Sequence, residues 1–436
     1  MNSYSMSMKD KLMGIIQEMA SMPWLFAKNP EKDFTRKRKL GFETLINMML
    51  SMGSQNLNHE LMEYFGYHVS TASPSAFIQQ REKILPSAFE FLLSEFANSF
   101  EDLKDFEGYR LLAVDGSDLS ITHNPEDADT YHHPHSEKGF NLLHLNAMYD
   151  LCNKLYVDAV VQPGRKRNEY RALNDMVDRS SIHGKAIVIA DRGYESYNVF
   201  AHIEQKGWNY VIRVKDINSS GILAKRKLSE MEEFDETISI VLTRKQTKET
   251  KARKELYQFI PSNSTFDFID LQTQKLYPIT LRVIRFRLTD DTYETIITNL
   301  HKKEFSTEKI KYLYHLRWGI ETSFRELKYA IGLTYFHSKK VEYIYQEVFA
   351  SLVMYNFCEK ITLHVIIQQK DVEHIYQANF TAAIRICIHF YKCRDNIHPP
   401  DVEALILKNI LPVRNGRKDP RKVKTKPAVS FNYRIA

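Results

Sequence analysis

Between residues 109 and 215 the apolar pattern changes from the period of helices to that of strands, and this change constrains the fold more than any other feature. Apolar runs of four to eight residues occur at 111–114, 142–149, 156–161, 186–190 and 210–214. That length, with branched side chains, suits buried strands. The first three runs follow one another directly, whereas helical patterns at 168–179 and 197–206 separate the later ones. A meander followed by strand–helix alternation predicts an α/β layer on a mixed sheet.

The flanking segments read differently. From residue 7 to about 105 the period is helical: Phe42, Leu45, Ile46, Met49 and Leu50 recur at helix spacing, and 88–100 repeats the pattern. From 216 to 290 polar and apolar residues alternate, as in 237–242 and 280–288, with many Thr, Lys and Arg, which predicts a β-rich insertion. The α/β pattern resumes with a strand at 295–298 and one long helix over 307–330. A chain of 436 residues exceeds what a single core usually supports, so several units are expected.

Composition narrows the class. Hydrophobic residues at 43% and charged residues at 26% predict a folded globular protein rather than a disordered one. The net charge of +6 is too small to imply nucleic acid by itself, but its distribution is uneven. Arg36, Lys37, Arg38 and Lys39 run together, and from Arg414 to Arg434 eight Lys or Arg face one acid, Asp419. Such runs either lie along phosphates or serve as solvated tails, and a run taken alone is more often the latter. Cys152, Cys358, Cys387 and Cys393 show no paired spacing, which fits a reducing, intracellular setting. Lys9 and Lys11 are followed by no signal-type apolar stretch and no run is long enough to span a bilayer, so a cytoplasmic, membrane-free protein is expected.

Two acids end two of the apolar runs. Asp115 follows 111–114 and precedes Gly116-Ser117; Asp191 follows 186–190 and precedes Arg192-Gly193-Tyr194. Each is expected to cap a buried strand, where open α/β sheets place their ligand crevice. An N-cap or turn role explains either one equally simply. The third acid lies on the long helix, where Tyr314, Arg317, Glu321 and Lys328 fall within about a 60° arc beside the apolar face of Leu313, Leu316, Ile320, Phe324 and Leu327. From geometry alone, an exposed face with ion pairs such as Arg317–Glu321 accounts for that stripe just as well.

The spacing Tyr314-x2-Arg317-x3-Glu321-x6-Lys328 resembles, without a gap, the Tyr-Arg-Glu-Lys signature of bacterial insertion-sequence transposases with a DDE catalytic core. Asp115-Gly116-Ser117 and Asp191-Arg192-Gly193-Tyr194 resemble the first and second acid motifs of that family. Phe34-Thr35-Arg36-Lys37-Arg38-Lys39-Leu40 and Ser430-Phe431-Asn432-Tyr433-Arg434 are similar to its opening and closing segments, so nearly the whole chain is covered. The resemblance implies an RNase H-like mixed sheet flanked by helices, interrupted by a β-rich insertion and preceded by a helical N-terminal domain. It implies metal-dependent cleavage of transposon ends and strand transfer into target DNA, with Asp115, Asp191 and Glu321 as catalytic metal ligands. All-oxygen ligands suit hard cations, so Mg²⁺ or Mn²⁺, as two ions, is expected. Tyr314, Arg317 and Lys328 are expected to grip DNA next to the scissile bond, and Trp318 and Arg192 to hold an unstacked base. Arg213 and Lys215, at a strand end, are candidates for flanking DNA.

Relatives can use a tryptophan of the insertion to hold a flipped base, and this insertion has none; Phe286 or Tyr293 would substitute. His123, His132, His133, His135 and His144 invite a zinc reading, but without a cysteine set a polar loop over the active-site side fits better. The expected units are a helical DNA-binding domain (1–105), a first core part (106–215), the insertion (216–290), a second core part (291–400) and a basic tail (401–436). The expected partners are double-stranded DNA, as terminal inverted repeats and target, and a second protomer in a synaptic complex at the bacterial nucleoid. The alternatives are a nuclease without strand transfer and a catalytically silent DNA-binding regulator.

Overall fold

The computed structural model describes residues 2–53, 55–133, 139–217, 219–224, 226–289, 292–367, 375–393 and 398–413. The basic segment from Arg414 to Arg434, with its closing motif, and His135 lie outside the described residues. The chain opens with helices α1 (Ser3–Ser21), α2 (Phe42–Ser51), α3 (Leu57–Tyr64), α4 (Pro74–Arg81) and α5 (Ser87–Asn98). Strands β1 (Arg110–Ile121), β2 (Tyr131–His132), β3 (Phe140–Asp150) and β4 (Leu155–Pro163) follow, and then α6 (Glu169–Arg179), β5 (Ala186–Ala190), α7 (Tyr197–Gln205) and β6 (Asn209–Val214).

The next segment carries β7 (Phe234–Thr243), α8 (Lys248–Ala252), β8 (Tyr257–Phe259), β9 (Leu276–Thr289) and β10 (Thr292–Thr298). Helices α9 (Thr307–Leu316), α10 (Trp318–Glu326) and α11 (Val341–His364) come next, then β11 (Tyr376–Ala378), α12 (Phe380–Lys392), α13 (Val402–Lys408) and β12 (Ile410–Pro412). Strands β1 to β10 form one ten-stranded sheet ordered β2-β3-β1-β5-β6-β10-β9-β7-β8, with β4 on β3. The β1–β3 and β3–β4 pairs are antiparallel, β1–β5 and β5–β6 parallel, and β6–β10, β10–β9 and β9–β7 antiparallel. Residues 216–290, expected as an insertion, therefore add β7, β8 and β9 to the edge of the same sheet rather than forming a separate one.

β5 is buried along its whole length, which is why its sequence is a continuous apolar run rather than an alternation. Ala186, Val188 and Ala190 face the core that includes α6 and α7, whereas Ile187 and Ile189 face the core beneath α9. The N-terminal helices do not stand apart. Leu12, Ile16, Leu45, Phe89 and Leu92 share one core with Val348, Leu352, Met354 and Phe357 of α11 and with Ile384 and Cys387 of α12. The helices at the start of the chain together with α11 and α12 thus close a single helical layer over β1, β3 and β4. Among the described residues, no helix is long and apolar enough to cross a membrane.

Two expectations need correction. Asp115 does not cap its strand: β1 continues to Ile121 because β3 keeps pairing with it, from Asp115↔Ala147 to Ile121↔Asn141. The parallel ladder with β5 is what stops there, at Val114↔Ala190. The long helix over 307–330 is also interrupted. Arg317 separates α9 from α10, with i→i−3 hydrogen bonds from Arg317 N–H to the Tyr314 carbonyl (3.1 Å) and from Ile320 N–H to the Arg317 carbonyl (3.1 Å). Residues Leu327–Ile331 then form a π-helical turn.

Candidate active site

The site forms where β1 outruns β5. Strand side chains alternate faces, so Asp115 shares the face of Leu111 and Ala113, and Asp191, following Ala190, projects like Ile187 and Ile189. Both faces look toward the α9–α10 side, and α10 packs against β1. Each aspartate is braced by a nearby backbone amide, Gly116 N–H within β1 donating to Asp115 Oδ1 (2.8 Å) and Gly193 N–H in the turn after β5 donating to Asp191 Oδ1 (2.7 Å). That leaves the second oxygen of each carboxylate for other partners.

Arg317 joins the third acid to the first. Its Nη2 donates to Glu321 Oε1 at 2.7 Å, and its Nη1 lies 3.5 Å from Asp115 Oδ2. The i,i+4 pair weighed for the helix face therefore exists, but it is not a solvated one: Arg317 is 7% exposed. Burial pushes the Asp115 carboxyl up to about 6, against the pull of Gly116 N–H and Arg317, and Asp191 and Glu321 are near enough to raise it further. Among the described residues no three acidic, His or Cys side chains close into a ready-made metal cage. What gathers Asp115 and Glu321 is a guanidinium, itself a cation, so this all-oxygen donor set already holds positive charge and suits a hard divalent ion.

The expected DNA contacts fall into two groups. Tyr314 is buried, with the Arg317 guanidinium 5.8 Å from its ring centroid, and Lys328 Nζ donates to the Asp118 carbonyl at 2.8 Å. Arg213 pairs with Glu294 at 3.2 Å, and Phe286 is buried in the core beneath α9. Trp318 is 55% exposed beside Arg317, and Arg192 and Lys215 are exposed. Tyr293 lies under Arg285, 3.8 Å from its ring centroid. Far along the chain, Lys32, Thr35, Arg36, Arg38 and Lys83 line a basic cavity of about 330 Å³, with Glu31 its one acid.

Sequence reasoning missed one group beside the acids. His144 lies in β3, not in a loop, and is 3% exposed. Its Nδ1 bonds Asp118 Oδ1 at 2.7 Å, and its Nε2 lies 3.0 Å from Glu169 Oε1, a charge contact whose alignment falls short of a hydrogen bond. Burial pushes the imidazole down, but the two carboxylates more than offset it and raise it to about 9. The available signal was the glycine after each aspartate. A Cβ on Gly116 would sit 2.4 Å from His144 Nε2, and one on Gly193 would sit 2.8 Å from Asp191 Oδ1 and 3.1 Å from Glu169 Oε2. Gly116→Ala is therefore expected to overpack a clamped imidazole and cost about 1–3 kcal/mol. An unchanged thermal midpoint would show that His144 has room to move aside.

A sequence profile described as "Transposase DDE domain" matches residues 106–357. No curated protein sequence matches the chain. Among solved structures, the chain is similar to the piggyBac transposase in a synaptic complex with hairpin DNA, at 10% identity and a TM-score of 0.46, covering 89% of this chain and 80% of that one.

Proposed function

We propose, since this chain belongs to the transposase DDE-domain family, that it cleaves transposon ends and joins them to target DNA in a cut-and-paste reaction at Asp115, Asp191 and Glu321. The observation that carries this reading is the gathering of Asp115 and Glu321 on one guanidinium where β1 outruns β5, with Asp191 at the neighbouring strand end. The order β4-β3-β1-β5-β6, antiparallel then parallel, supports an RNase H-like core. The helical start (1–105), the insertion (216–290) and the second core part (291–400) are read as the units of one such enzyme, but the expected tail from 401 is shortened, because Val402 and Ile406 of α13 enter the core and β12 pairs with β11, so the basic tail is read from Arg414 onward.

In-line displacement at phosphorus brings an anionic nucleophile to an anionic phosphate and expels another oxyanion. Asp115, Asp191 and Glu321 would hold Mg²⁺ or Mn²⁺, which would supply Lewis-acid stabilisation of the charge that develops in this displacement. The chain's own residues do the rest. Gly116 and Gly193 N–H groups fix one oxygen of each aspartate, so the other is presented in a set direction. Arg317 balances Asp115 and Glu321 before substrate arrives and, with Tyr314 and Lys328, holds phosphates in register afterwards. Trp318 offers an exposed ring and Arg192 an exposed guanidinium for an unstacked base. Arg213 and Lys215, the Arg36–Arg38 cavity and the basic tail supply further phosphate contacts, and two protomers bridge two ends.

Strand transfer separates this function from simple cleavage. Ends supplied pre-cleaved, with free 3′-hydroxyls, are expected to be joined to a second duplex in the presence of Mg²⁺. Cleavage of intact ends without any joined product would instead support a nuclease, and end binding with neither reaction a silent regulator.

A further inference from the structure

We propose that Glu169, in charge contact with His144, is a fourth carboxylate of this site and would orient the waters of a divalent cation bound there. The inference rests on the reading of Asp115, Asp191 and Glu321 as the cation-holding acids. Glu169 is the first residue of α6, immediately after the β4 arm of the sheet. Its two oxygens face the two acid-bearing segments. Oε1 lies 3.3 Å from where a Cβ of Gly116 would stand, and Oε2 lies 3.1 Å from that of Gly193. Gly116 directly follows Asp115 and Gly193 comes two residues after Asp191, and a Cβ at either position would crowd this carboxylate.

The placement has an electrostatic cause. His144, 3% exposed on β3, bonds Asp118 through Nδ1 and stands 3.0 Å from Glu169 Oε1 through Nε2, so its charge draws the partly exposed Glu169 carboxylate toward β3. A second observation points to a ligand. The Tyr194 hydroxyl is 1% exposed, has no hydrogen-bond partner, and lies within the field of Glu169, Asp115 and Asp191. A buried hydroxyl among three carboxylates is satisfied by an ordered water or a bound group. Divalent magnesium retains several waters when carboxylates bind it, and acceptors outside the ligand set orient them. Glu169 and Tyr194 offer an acceptor and a donor for that second layer.

Mn²⁺ alone, titrated into the full-length protein and followed by electron paramagnetic resonance, tests this without reference to turnover. Wild-type protein is expected to bind Mn²⁺, and Asp115→Asn to lose that binding. Glu169→Gln is expected to weaken it about 10–100-fold, while DNA-end binding without metal is unchanged. Glu169→Asp, which keeps the charge, is expected to recover part of the affinity, and it carries the comparison if the Gln variant fails to fold. Wild-type affinity in Glu169→Gln, or an Asp variant no better than Gln, would overturn the role of Glu169. Absence of Mn²⁺ binding in the wild type, or its persistence in Asp115→Asn, would instead overturn the reading of the three acids.

Discussion

Asp115→Asn is expected to lower metal-dependent cleavage of end-bearing DNA at least about a thousandfold, equivalent to about 4 kcal/mol of transition-state stabilisation. The substitution keeps the shape that accepts Gly116 N–H but removes the charge that faces Arg317 at 3.5 Å and that a divalent cation requires. The fold should tolerate it. Burial raises the Asp115 carboxyl to about 6, so the surroundings favour the neutral form relative to water, and an uncharged isostere does not lower the thermal midpoint. A gel assay with Mg²⁺ on matched ends reads the effect, and end binding without metal serves as the control. A variant that cuts within tenfold of the wild type would remove Asp115 from the reaction.

Arg81→Ala is expected to destabilise the protein by about 3–5 kcal/mol, far from the chemistry. Arg81, at the end of α4, donates from Nε to Gln346 Oε1 (2.8 Å), from Nη1 to Glu347 Oε1 (2.9 Å) and from Nη2 to the Tyr343 carbonyl, all on α11. Both members of the ion pair are buried, with side chains 3% and 9% exposed. Removing the guanidinium leaves the buried Glu347 charge with only His337, whose backbone N–H donates to Oε2 at 2.8 Å, in the seam that ties the start of the chain to its second half. Burial alone would push the Glu347 carboxyl up, but Arg81 and His337 overcome that and hold it down at about 2. A depressed carboxyl contributes stability above the unfolded value of about 4.3 and loses it as pH falls toward 2. Thermal midpoints of wild type and Arg81→Ala should therefore differ most near neutrality and converge in acid. Equal midpoints at pH 7 would show that the pair adds nothing.

That seam was invisible in the sequence, because nothing local in 74–81 or 341–364 says that they meet. The helical character of both segments was legible from apolar spacing, yet the expectation of a separate N-terminal unit rested on a change of period along the chain. Period reports which face is apolar and not what covers it. Likewise Gly116-Ser117 looked like the turn after a strand, and only pairing with β3 carries β1 on to Ile121. The 307–330 stripe assumed one unbroken wheel. The tightened turn at Arg317 and the π turn at Leu327–Ile331 change the angles, so Arg317 points inward at two acids.

Glu321 was singled out only by a family signature, whereas the residues alone determined the β5 run with Asp191 at its end and the apolar start of β1 that leads into Asp115. These are short-range consequences of backbone geometry, and burial on both faces leaves an unmistakable apolar run. What only the folded chain decided is which oxygens are braced, that the Arg317 guanidinium stands between Asp115 and Glu321, and that Glu169 lies beside both Gly116 and Gly193. Those are contacts between segments remote in sequence, chosen by sheet register and by the space the core leaves. No periodicity in a single chain encodes that space.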